Sequence, residues 1–258
     1  MLTLINRWRP ISIDAFTYVE SVYKLYPPRL SRDYIPQWWR NLPTDFDDPG
    51  FGAVKNPTMK RCTGFIEAFR TGFMVPMWTD LALELFNEPP GRTSFRYRFA
   101  DGEGVIQTHM HQQYTGFVDT NRQQHLKIIV PWRIREPTGV NFTVTQPVWN
   151  MGELNRDITI LGGVTDFKYQ DSAHFQLLVN YPEVGTKNSI LIPADMPLMQ
   201  VIPVSDRPIK IHTHLVERSK YVDAGIGIFK FTGNYLHRKR MIDRAEKSQC
   251  PFKTFLKK

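Results

Sequence analysis

HLKIIVPWRI (125–134), VNFTVTQPVW (140–149), ITILGGVTDF (158–167), HFQLLVNY (174–181) and PLMQVIPV (197–204) follow one another with little but turn residues between them. Each run is dense in β-branched and aromatic residues. The intervening stretches, among them Glu136–Gly139, Asn150–Arg156 and Pro182–Asn188, are rich in Gly, Pro, Asn and charge. Short apolar runs at that spacing are the pattern of an all-β sandwich or barrel. No helix-length segment separates the runs, which argues against a parallel βαβ sheet. The sequence therefore predicts a mainly β protein, a jelly-roll or double-stranded β-helix barrel, with N-terminal helices and a C-terminal helix laid against it. A length of 258 residues suits one such unit. Its parts are an N-terminal helical segment over 1–72, a barrel core over 73–216, and a basic helix and tail over 217–258.

Working outward from this block, FMVPMW, LALELF and SFRYRFA extend the strand composition toward the N-terminus, and Pro76 marks the first as an edge strand or a bent one. Asp14–Tyr26 places Phe16, Val19, Tyr23 and Tyr26 at helical spacing, with Asp14 as N-cap and Pro27 as stop. Asn56–Gly72 predicts a second helix, capped by Asn56 and closed by Gly72 in the left-handed region. In PQWWRNLP, adjacent Trp38 and Trp39 cannot share a face: one anchors the segment and the other covers a neighbouring loop or a partner. Toward the C-terminus, KIHTHLVE reads as a last strand and Asn234–Lys247 as a cationic helix with a narrow apolar seam.

Charge is unevenly placed. From Arg207 to Lys258 there are 13 Lys and Arg against four acidic residues, so this segment carries the whole positive excess of a chain whose net charge is +8. Such a segment favours an acidic partner surface, nucleic acid included. Cys62 and Cys250 show no metal or disulfide spacing, and Cys62 is expected to be buried in a helix. No apolar run approaches the roughly 20 residues of a membrane span, which predicts a soluble protein made in the cytoplasm, without a membrane partner.

The residues that invite a chemical reading are histidines. Period-two alternation through VIQTHMHQQY would set His109 and His111 on one strand face, where two imidazoles chelate a divalent metal such as Fe. Asp166 and His174 are the candidates to complete that set from other strands. The pattern departs from a cupin, which follows its pair with Glu, because Gln112, Gln113 and Tyr114 stand there instead. His212 and His214 repeat the spacing beside Lys210, whose charge opposes a cation. No serine-nucleophile elbow, phosphate loop or metalloprotease helix occurs.

Taken in order, PQWWRNLP, MKRCTGFIEAFRTGFMVPMWTD, VPWRIREPTG, ILGGVTDF and MPLMQVIPV resemble a family of β-rich proteins encoded by tailed phages, above all marine T4-like ones, to which no activity is attached. The resemblance implies a β-rich fold, a phage origin and a place in the virion or the host cytoplasm, and it implies Gly-Thr where Asp195 and Met196 stand here. The function expected is that of a non-enzymatic structural or accessory protein of the virion, without a cofactor. It would act through contacts at Trp38, Trp39, Arg238, Lys239, Arg240 and Arg244 with other phage structural proteins or copies of itself. The alternatives are a cupin-like metal-dependent oxygenase or isomerase using His109 and His111, and a nucleic-acid- or host-factor-binding protein using the basic segment.

Overall fold

A computed structural model describes residues 9–48, 50, 55–102, 104–117, 119, 122–170, 172–223 and 234–249, without the side chains of 111, 172, 223, 234, 235, 238 and 245–249. The protein is mainly β, 43% strand and 24% helix. Its strands form several sheets, and no closed barrel occurs among the described residues.

The longest strand is β9 (Gln123–Arg135), which contains the first run of the block. Leu126, Ile128, Val130, Trp132 and Ile134 alternate along it, each at most 2% exposed. Burying such side chains is worth about 1.5–3 kcal/mol apiece, so this one face pins the register of the strand. On one side β9 pairs antiparallel with β13 (Ser172–Asn180), which in turn pairs with β11 (Ile158–Ile160). On the other side it pairs with β8 (Ile106–Gln107) near its start and with β1 (Ile11–Thr17) near its end. β1 then runs parallel to β16 (Ile209–Leu215), completing a six-stranded sheet.

The second sheet has the order β12 (Gly163–Asp166), β10 (Asn141–Thr145), β15 (Pro197–Pro203), β5 (Phe73–Pro76) and β2 (Arg29–Leu30). A three-stranded sheet joins β14 (Thr186–Ile192), β6 (Leu81–Glu88) and β7 (Arg92–Phe99). Their apolar faces meet in one core, in which Phe73 and Phe142 of the second sheet and Leu81, Leu83 and Leu85 of the third join Ile11, Trp132 and Phe175 of the first. A small hairpin of β3 (Asp45–Asp47) and β4 (Lys55–Pro57) lies outside these sheets.

Several sequence expectations are corrected here. Asp14 caps no helix: the period-two pattern of ISIDAFT prevails, Asp14 sits mid-strand in β1, and the helix shrinks to α1 (Glu20–Leu25). Asn56 belongs to β4; the helix expected from it begins later as α3 (Thr63–Arg70), after α2 (Gln37–Asn41) earlier in the chain. Its stop is as expected, with Gly72 at φ 81°. Cys62 precedes α3 and is exposed rather than buried, while Cys250 lies outside the described residues. The run 158–167 is two strands in different sheets, because the chain changes sheet at Gly162 and Gly163. Pro76 closes β5 where its register with β15 shifts, and β5 itself lies inside the sheet. Within the segment before Phe73, β1 and β2 each add a strand to one of the two large sheets.

Three polar groups serve the architecture, two of them buried and the third, Asp195, exposed. Glu136, fully buried, accepts from the amides of Thr138 (3.0 Å), Gly139 (2.7 Å) and Val140 (3.0 Å) and from the Thr138 hydroxyl, closing the turn from β9 to β10. Gln200 donates from Nε2 to the carbonyls of Ala68 (2.7 Å) and Thr71 (3.0 Å), satisfying the C-terminal end of α3. Asp195 holds φ 63°, a region glycine ordinarily takes, and its carboxylate is met by Arg29 and, at 3.2 Å, by the Tyr34 hydroxyl.

Candidate functional site

Because side chains alternate along β9, the face opposite the core carries His125, Lys127, Ile129 and Arg133. β13 does the same with His174, Gln176 and Leu178. In the antiparallel register Gln176 stands opposite Lys127, His174 opposite Ile129 and Leu178 opposite His125. Gln107 of β8 is the partner of Lys127 on its other side. His174 and Gln176 thus belong to the outer face of the six-stranded sheet.

The strand expected to carry His109 and His111 stops at Gln107. His109 lies in irregular chain and His111 opens a single 3-10 turn ending at Gln113, so period two does not align them on a strand face. The His111 side chain lies outside the described residues. This segment folds back over the sheet. His109 stacks on His125 with ring centroids 4.5 Å apart and 15° between planes, and Tyr114 leans on the same ring at 5.8 Å. His125 is left only 4% exposed.

The electrostatics follow from this cover. Burial pulls the His174 imidazole down to about 4, with repulsion from Lys127 and His109 adding to it. Burial also lowers His109, with Lys127 adding. It lowers His125, helped by His109 and Lys127 and opposed by Gln176. Lys127 is lowered by burial. The three imidazoles are therefore neutral at pH 7, and Lys127 is the cation among them. Gln176 lies close enough to His125 to favour its charged form, but short of a formed hydrogen bond. His125 Nδ1 and Gln176 Oε1 are both buried without a partner among the described residues. Orphaned polar atoms of this kind are few in folded proteins.

The remaining metal candidate does not join them. Asp166 ends β12 in the other large sheet, and its carboxylate accepts from the Tyr169 amide at 2.9 Å. It is not among the charges acting on His174. No group of three or more His, Cys, Asp or Glu among the described residues is arranged to hold a metal ion. The second histidine pair does lie on a strand, β16, on the same outer face. There His212 pairs in register with Asp14, His214 Nε2 lies 2.8 Å from Asp14 Oδ1, and the His214 ring stacks on Phe16 at 4.8 Å.

Of the proposed contact residues, Trp39 is 6% exposed and packs on Phe69 of α3 at 4.8 Å, while Trp38 is 42% exposed. Trp38 donates from Nε1 to the Trp149 carbonyl at 3.0 Å and lies 6.1 Å from that ring. Beside it Val148, in α4 (Val148–Met151), is 44% exposed. The pair thus splits as the sequence implies, into an anchor and a cover. The basic helix is α6 (Asn234–Gln249), preceded by α5 (Arg218–Asp223). α6 touches the turn before β13, where Asp243 accepts from the Tyr169 hydroxyl at 2.6 Å and the Lys239 ammonium is 5.1 Å from the Tyr169 ring. Arg240 and Arg244 are exposed; the Arg238 side chain lies outside the described residues.

Sequence reading missed His125 and Lys127 as site residues. Their signal was present as the non-core parity of HLKII, and it becomes legible once the matching parity of HFQLL is laid opposite. No protein-family model matches the chain, and no curated protein matches it.

Proposed function

We propose that the chain is a non-enzymatic structural or accessory protein of a tailed-phage particle, acting through its surface. The observation that carries this reading is the aromatic front. Trp38, Val148 and Trp149 form a partly exposed apolar patch, with Trp39, Phe65 and Phe69 packed against one another behind it. Apolar surface of this kind, held rigid from below, is what protein contacts use. The packing of the three larger sheets supports the same reading, since their shared core is apolar and the ionisable groups of the site lie outside it. The likeness of the sequence motifs to phage proteins supplies the setting. Peptide mass spectrometry of purified particles from the encoding phage is the test. The chain is expected there in many copies, with incorporation falling about tenfold or more in Trp38→Ser, a loss in the range of an interface hot spot. Its absence from particles overturns the reading.

One observation favours a second reading, nucleic-acid binding: Arg240 and Arg244 are exposed on α6 with Lys239 beside them. Phosphate contacts by these residues would give binding that weakens steeply with salt. A metal-dependent oxygenase or isomerase has less in its favour, because His109 and His111 do not share a strand face.

A further inference from the structure

Four basic side chains converge on the outer face of the six-stranded sheet with no acid among them. His125 and Lys127 project from β9, His174 projects from β13, and His109 lies flat on the His125 ring at 4.5 Å. Gln107 and Gln176 flank Lys127 as its partners on the two neighbouring strands, and Tyr114 closes the wall at 5.8 Å from His125. Among the described side chains, these are the charged and titratable groups that bear on the cluster. Among the described residues no carboxylate acts on His109, His125, Lys127 or His174. All four are held below their ordinary pKa, burial being the largest cause for each.

Burying bases together without a counter-charge disfavours their protonated forms, and each depressed proton affinity records that penalty. One further atom bears on the site, since His125 Nδ1 is buried without a full hydrogen bond among the described residues. A ligand that brings negative charge and acceptor oxygens supplies the missing counter-charge and gives a protonated His125 Nδ1 an acceptor. A divalent cation answers neither, because Lys127 would repel it and no metal-holding group is assembled among the described residues.

We propose that His109, His125, Lys127 and His174 form a binding site for a small oxyanion, a phosphate or a carboxylate. The Lys127 ammonium supplies the charge and the imidazole N–H groups supply directed donors, a combination that makes short, strong hydrogen bonds to oxyanions. Binding draws a proton onto the imidazoles, so affinity rises as the pH falls from 7.5 toward 5. Nothing in this inference rests on the assembly role proposed above.

Nuclear magnetic resonance of the imidazole Cε1–H groups tests it. The full chain is titrated with acid in sodium phosphate, in sodium acetate and in sodium chloride at matched ionic strength. In the presence of the ligand, His125 and His174 are expected to titrate about one unit or more higher than in chloride, the effect of an opposite charge at hydrogen-bond range. A shift in phosphate alone identifies a phosphate site; a shift in acetate as well identifies a carboxylate site, such as an acidic side chain of a partner would fill. Lys127→Gln should weaken binding about tenfold or more, the worth of a single charge-assisted bond, and Lys127→Arg should retain most of it. Superimposable curves in all three salts overturn the proposal. So does a Lys127→Gln protein that is folded by circular dichroism and keeps the full shift.

Discussion

His174 ties the stability of the protein to pH through one side chain. In the folded state its imidazole titrates at about 4, against an ordinary value of 6.5. Between these values the unfolded chain binds a proton that the folded chain refuses, so stability falls as the pH drops from 6.5 to 4 and loses nothing more from this group below that. Partial exposure trims the effect to roughly 2–3 kcal/mol. His109 and His125 push the same way. Urea midpoints measured from pH 7.5 to pH 4 in chloride should show this decline, and His174→Gln should flatten part of it. An unchanged slope in that variant would assign the acid sensitivity to other groups. Neither the burial nor the neighbours of His174 can be read from HFQLL by itself. Alternation tells that His174 and Gln176 share a face, but which face is solvent-side depends on the strand beside them.

Elements were legible where their signal was local. The runs now seen as β9, β13 and β15 alternate or stay apolar over their whole length. The cationic helix α6 begins at the expected residue, and the turn after β9 falls where Glu136 and Gly139 predict it. Elements that depend on distant partners were not legible. ISIDAFT and the helical spacing of Phe16, Val19 and Tyr23 overlap in sequence; the strand prevails because β16, about 200 residues away, offers Ile209–Leu215 as a parallel partner. The two-residue strand β8 leaves so short a ladder that alternation beyond Gln107 has nothing to enforce it, and His109 and His111 part company there. Gly72 shows a local and a distant demand meeting at one position. Its φ of 81° favours glycine, and a Cβ there would come within 2.2 Å of the Val201 carbonyl oxygen on β15. Gly72→Ala should therefore cost about 2 kcal/mol or more, well above the ordinary penalty of a surface substitution, as a fall in the thermal midpoint would register. A midpoint within a degree of the unaltered protein would mean that α3 and β15 can separate without consequence.

At the scale of the whole molecule, the three larger sheets share one core to which residues from Ile11 to Ile211 contribute. Ile11, Ile13 and Ala15 are fully buried between β9 and β16, so a fragment of residues 73–216 exposes apolar surface on the face and edge that β1 vacates. Such a fragment should fail to give dispersed amide resonances and should be cut rapidly by protease, whereas the full chain resists. A stable, protease-resistant fragment would show that the core over 73–216 is autonomous. The parallel pairing of β1 with β16 also bears on how the protein is made. β1 leaves the ribosome more than a hundred residues before one of its neighbours, β9, and about 200 residues before the other, β16. Until then its apolar side has no permanent seat. Contacts so distant along the chain slow folding and lengthen the exposure of sticky intermediates. A chain built this way gains from any chaperone that shields the apolar side of β1 until β16 has emerged.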